Sequence, residues 1–195
     1  MILDEPIVLS VECWEPKEKV VRNVRFMPLR PEYLKRFWEE SKKFRALFTQ
    51  DINNDFKKFL DLFIDGGPDG MTPSTKGLFW VVDDFVGIFY MDNIVPGIDA
   101  HVHYTFFDRK QSGRVPLVKA MLKYCFTKYG FKRFTVEIPF FAYKGTFTFV
   151  EGVGFKHEGR KRQAANFDGT WFDVNVYGML REDILNSGET DGHNK

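Results

Sequence analysis

Cysteine is nearly absent from this chain of 195 residues, with only Cys13 and Cys125, far apart. Two isolated cysteines make neither a disulfide framework nor a thiolate metal site, and they suit a reducing compartment. No apolar run approaches the ~18 residues that a membrane-spanning helix needs. The start, Met1-Ile2-Leu3-Asp4-Glu5, lacks the basic region and apolar stretch of a secretion signal. A surplus of either charge is missing too: 28 Lys and Arg face 27 Asp and Glu, a net charge of +1. No global field therefore favours nucleic acid or an anionic membrane. The expectation is a soluble cytoplasmic protein with no membrane or nucleic-acid partner and no bound metal.

What is abundant is phenylalanine, 22 residues within a 44% apolar composition. That load supplies ample core and could also line an elongated apolar slot. Length favours one domain, residues 1–185, followed by a polar tail, 186–195, whose composition predicts disorder. No internal repeat is visible.

Ile7–Val11 can form a short strand, Glu15–Lys19 reads as a charged linker, and Val24–Pro28 as a strand stopped by its proline. Pro31 suits the first turn of a helix. A second helix is expected from about Asn53, because Phe56, Phe59, Leu60, Phe63 and Ile64 recur at helical spacing. That stripe reads first as core and second as a lid over a substrate. Gly66–Thr75 is loop chemistry. Leu78–Val82 and Val86–Met91 form a hairpin about Asp83-Asp84-Phe85, and Pro96-Gly97 turns into the strand Asp99–Phe107. The segment Arg109–Val115 is a basic turn, followed by a helix Pro116–Tyr129 with Gly130 at its C-cap. A strand Phe134–Pro139 comes next. Ala142–Gly152, with Gly145 and Gly152, predicts a short, irregular helix. Phe155–Ala165 and Trp171–Leu180 flank Asp168-Gly169, a tight-turn signal. This order describes an α/β fold, a mixed sheet with helices on its faces.

A strand that feeds a glycine turn opening a helix is an anion site, since first-turn amides lack partners and the helix dipole adds positive charge. Arg109, Lys110 and Arg114 add cations around Gly113. His101 and His103, two apart on the preceding strand, share a face and could supply a base. Two histidines without a third ligand make a poor zinc site. The run Arg160-Lys161-Arg162 is too short for a nucleic-acid patch and reads as a solvated strand face or a contact to a carrier phosphate.

Downstream residues sharpen this. Val153-Gly154-Phe155-Lys156-His157-Glu158-Gly159 is similar to the closing signature of the GNAT superfamily of acyl-CoA-dependent N-acetyltransferases. Lys110, Gly113 and Val115 stand at the three positions of that family's pyrophosphate signature, with only the central glycine kept. Arg162, Phe167–Val174 and Tyr177–Asp183 continue as in the branch of ribosomal-protein alanine acetyltransferases. The resemblance spans residues 22–183 and is specific over 99–181.

The resemblance implies a mixed, mostly antiparallel sheet with a central splayed parallel pair, Asp99–Phe107 beside Phe134–Pro139. It implies acetyl-CoA as cosubstrate and a protein or small-molecule amine as acceptor, in a monomer or homodimer. Pantetheine would lie in the split, bonded by backbone groups of Tyr104, Thr105, Phe106 and Phe107, often beside a bulge. Pyrophosphate would sit on the turn Lys110, Gln111, Ser112, Gly113, Arg114 and Val115. Glu137 matches the glutamate many relatives use as base, and its structural alternative is pairing with Arg133 or Lys132. Asp92 is a second candidate, and His103 a third. The general-acid tyrosine usual in the family corresponds to Val150, and an asparagine common after the glutamate strand corresponds to Tyr143, a substitute acid by proximity. These departures keep a catalytically degenerate binding or structural module as the rival reading.

Overall fold

The computed structural model describes residues 5–15, 18–44, 55–66, 73–108 and 113–185. Arg109, Lys110, Gln111 and Ser112 of the expected turn lie outside them, as does the tail from residue 186.

The chain opens with β1 (Ile7–Glu15) and β2 (Glu18–Pro28), an antiparallel hairpin in register from Ile7/Phe26 to Glu15/Glu18. Glu15 and Glu18 of the expected charged linker are the last registered pair of this hairpin, and both strands are longer than their apolar runs. β2 buries only its last residues, from Val24 on, so its first half gives no alternating apolar signal. It is strand because β1 supplies its ladder.

Helices α1 (Pro31–Ser41) and α2 (Phe56–Phe63) follow. The Asp55 carboxylate accepts from the N–H groups of Lys57 and Lys58 and caps α2. Ile64 leaves the helix and begins β3 (Ile64–Gly66), which pairs with β4 (Pro73–Thr75), so the ends of the expected loop form a small two-stranded sheet.

The remaining strands are β5 (Leu78–Val82), β6 (Gly87–Val95), β7 (Asp99–Phe106), β8 (Arg133–Pro139), β9 (Lys156–Phe167) and β10 (Thr170–Leu180). Between them run α3 (Arg114–Tyr129) and α4 (Lys144–Val153), and α5 (Arg181–Leu185) follows β10. Eight strands make one sheet, ordered β1-β2-β5-β6-β7-β8-β10-β9, antiparallel except for β7 and β8. Asp168 and Gly169 both have positive φ at the β9–β10 turn, as a two-residue hairpin of this twist requires.

Alternation along the central strands builds two cores. Trp80, Phe89, Met91, Val102, Phe134 and Val136 turn towards α3, which buries Leu117, Val118, Met121, Leu122, Cys125 and Phe126. Phe79, Val81 and Ile88 turn the other way and meet Phe37, Trp38, Phe59 and Phe63 of α1 and α2. Phe59 and Phe63 are fully buried, so the phenylalanine stripe is core and not a lid.

α4 departs from its expected irregularity. It is a regular helix of 10 residues, closed by Gly154 at φ 111°. Burial of Val150 and Val153, with Phe147 and Phe149 packed beside them, outweighs the poor propensity of its glycines.

Candidate active site

β7 and β8 share one register pair, His101 with Thr135. Just before it the Lys132 and Arg133 N–H groups both donate to the Ile98 carbonyl at 3.0 Å. Beyond it the two strands have no further partnered residues, so they splay towards their C-terminal ends. Side chains pin the vertex. Thr135 donates to Asp99 Oδ2 at 2.8 Å, and Arg133 reaches Glu158 at 2.6 Å and Asp99 at 3.6 Å.

Of the residues expected along the splay, Tyr104 and Phe106 turn towards α4, where both rings meet Phe149 edge-on. The Tyr104 hydroxyl is buried with no partner among the described residues. Thr105 pairs with Ile88 on β6. Phe107 is otherwise engaged: its N–H donates to Val86 at 2.8 Å and its ring stacks on Phe85. No bulge breaks β7 at this place. Its register with β6 runs unbroken from Phe106 to His101, and the irregularity falls at Asp92 and Val95.

Gly113 is the N-cap of α3, left-handed at φ 69° and without a side-chain cap. Gly113 itself has no side chain with which to cap the first turn of the helix. A Cβ on Gly113 would run into the Cys13 sulfur of β1, so this glycine answers to a neighbouring strand as well as to its own backbone angle. The Arg114 guanidinium lies 5.8 Å from the Phe106 ring centre.

On the opposite face of the sheet the structure sets His101 beside Glu137 and His103 beside Asp92. His103 Nε2 and Asp92 Oδ1 are 3.0 Å apart, and the Tyr90 ring lies flat on His103, 4.3 Å between centres at 5°. Burial first, and the Asp92 charge second, push the Tyr90 phenol up. Glu137 is ion-paired with Lys161 of β9, while His101 Nδ1 stands 3.9 Å from the same carboxylate. The partner is neither Arg133 nor Lys132, the neighbours expected from sequence. Tyr143 is not brought to this group. It precedes α4 with 83% of its surface exposed. Val150 is buried in the core and offers no proton.

Sequence reasoning paired none of these groups correctly. The Asp92–His103 contact crosses one hairpin, and its signal was a carboxylate two strand positions from the residue opposite the histidine. The Lys161–Glu137 pair depends on the register of three strands, which no local pattern carries.

A strand pair opened beyond one register position, next to a helix that starts at a left-handed glycine, defines the acetyltransferase fold. The acetyltransferase (GNAT) domain profile matches residues 34–176. The chain belongs to the GNAT acetyltransferase family, acyltransferases by class. RimJ of Mycobacterium smegmatis, solved with a CoA disulfide, superposes with a TM-score of 0.65 at 14% identity, over 94% of this chain and 95% of its own. Mutant forms of the spermidine/spermine N-acetyltransferase SpeG of Vibrio cholerae superpose at 0.64 with 16% identity, over 85% and 99%. The ribosomal L7/L12 alpha-N-protein acetyltransferase RimL, in complex with coenzyme A, gives 0.62 at 15%, over 82% and 95%. At these identities the likeness is one of fold. No curated protein sequence matches the chain. No described helix is long and apolar enough to cross a membrane.

Proposed function

We propose that this chain transfers the acetyl group of acetyl-CoA to a primary amine on a protein N-terminus or a small molecule. The single observation that carries the reading is the β7–β8 splay beyond His101 and Thr135. The unpartnered Tyr104 hydroxyl beside it and the start of α3 at the left-handed Gly113 fit an extended, phosphate-bearing carrier. Tyr104, Thr105 and Phe106 line the slot, with Phe107 reduced to its carbonyl. Gly113, Arg114 and Val115, together with Lys110, Gln111 and Ser112 of the expected turn, receive the phosphates. The thioester supplies an activated acyl carbon.

A neutral amine must shed a proton as it attacks. His103 is the favoured base, because Asp92, accepting from Nε2–H, leaves the lone pair on Nδ1. Glu137, with one oxygen occupied by Lys161, orients the ammonium form of the acceptor and holds His101. The reading draws on the amine acceptors of the neighbours, spermidine and a protein N-terminus. Calorimetric titration with acetyl-CoA, then a free-thiol assay over an amine panel, tests it. No heat at millimolar carrier would sink the enzyme.

A degenerate, non-catalytic module is the second reading. The observation favouring it is the burial of Val150 at the usual acid position. Carrier binding without thiol release over the whole panel would select it.

A further inference from the structure

We infer that the Tyr104 hydroxyl donates a hydrogen bond to the sulfur of the acyl carrier, supplying from β7 the polar group that Val150 does not supply from α4. The inference rests on the acetyl-CoA reading above and adds to it a residue that touches the leaving atom.

Three observations meet at this side chain. Its hydroxyl is buried and no described residue bonds it, although part of the ring remains accessible. A buried hydroxyl without a partner is a net liability in the ligand-free protein, so its retention calls for a partner that arrives from outside. Position is the second. Tyr104 lies three residues past His101, the last residue of β7 registered with β8, and therefore where the strands have separated. The third is its neighbour: the ring meets Phe149 edge-on at 5.2 Å, one residue before Val150. The two side chains that could serve the carrier sulfur thus come from facing elements, and only one of them is polar.

Burial pushes the phenol up, so it keeps its proton across the ordinary pH range. That makes it a hydrogen-bond donor and not a proton donor. In the transfer, the amine nitrogen bonds to the acyl carbon and the carbon–sulfur bond breaks. Its electron pair goes to sulfur, the amine proton goes to His103, and the Tyr104 proton stays on its own oxygen. The donated hydrogen bond is strongest when sulfur carries charge, which favours departure over ground-state binding.

The test compares full-length wild type with Tyr104→Phe. The pKa of the CoA thiol in each complex is read from thiolate absorbance, alongside steady-state kinetics and ligand-free thermal unfolding. The bound thiol should titrate about one pH unit higher in the variant, a tenfold loss of preference for the thiolate. With acetyl-CoA, kcat should fall roughly tenfold to a hundredfold while KM stays within about twofold. The ligand-free melting temperature should hold or rise, since an unpartnered buried hydroxyl is removed. Thiols titrating at one pH in both proteins would overturn the assignment, as would a lower melting temperature with kcat unchanged. Failure of wild type to bind CoA at all would instead overturn the acetyl-CoA reading, and this inference with it.

Discussion

Gly178 on β10 lies directly beneath the Glu158 carboxylate of β9: a Cβ at Gly178 would strike that group and come 2.6 Å from Arg133 Nη2. The ion pair that ties β8 to β9 passes over β10 only because β10 has no side chain there. Both partners are flexible and partly exposed, so Gly178→Ala should displace the pair and leave the backbone in place. The expected loss is about 1 kcal/mol or less in chemical denaturation. Adding Glu158→Gln to Gly178→Ala should change little, whereas Glu158→Gln alone should match the glycine variant.

Phe59 and Phe63 pack on Phe37, and Phe63 also meets Phe79 and Tyr90. Phe59→Ala or Phe63→Ala should destabilise the fold by about 3–5 kcal/mol, as large core truncations do. Phe56, which is 40% exposed, should lose far less. If Phe59→Ala altered acceptor preference at unchanged stability, the core reading of the stripe would fail.

Asp92 and His103 should act as a unit. His103→Ala should lower kcat by about 10²–10⁴-fold with acetyl-CoA affinity unchanged. Asp92→Asn should give part of that loss, and the double variant little more than His103→Ala alone. Glu137→Gln should weaken acceptor KM more than kcat. A larger kcat loss from Glu137→Gln than from His103→Ala would reverse the assignment of the base.

Asp183 couples α5 to the β9–β10 hairpin. Its carboxylate accepts from Lys156 at 2.6 Å and from the Leu180 N–H at 2.9 Å. The Lys156 hydrogen bond first, and the Leu180 N–H next, hold the carboxyl below its usual range. A depressed folded value means the stabilisation is complete above the unfolded value of about 4 and fades as pH falls through the folded value. Asp183→Asn should therefore melt lower than wild type at pH 7, with the gap closing in acid. Melting curves across that range check it.

The strand, helix and strand within Asp99 to Pro139 were legible because their boundaries have local causes. Gly130 stops α3 at φ 71° as a C-cap, and Phe134, Val136 and Ile138 alternate into the core. The β1–β2 hairpin was not, since Lys19 to Asn23 show no apolar alternation and take their conformation from β1. The glycines of α4 misled for the converse reason: local propensity pointed away from helix, and burial of Val150 and Val153 outweighed it. At the site, chemistry-bearing residues could be named one by one, but their pairings live in register. Glu137 stands opposite Val176, whose other neighbour is Gly159, and that placement brings Lys161 to the carboxylate. Spacing along the chain does not contain it.

The Cys13–Gly113 contact gives a separate expectation. Gly113→Ala adds a clash with Cys13 to a left-handed backbone that disfavours any Cβ. Cys13→Ala in the same chain should relieve the clash with the sulfur and leave about 1–2 kcal/mol of backbone strain, read by denaturation. Full recovery would mean the backbone angle costs nothing here.

The single register pair between β7 and β8 also bears on mechanics. It divides one sheet into two ladders, a five-strand span of hydrogen bonds from β1 to β7 and a three-strand span from β8 to β9, sewn together at one stitch.

 Amide hydrogens along the open edge of β7 past His101 should exchange with solvent faster than those facing β6. An extended molecule lying in the gap and bonded to both edges would serve as a removable strand. The fold's resistance to unfolding would then depend on how much of that molecule is in solution, rising with the logarithm of its concentration.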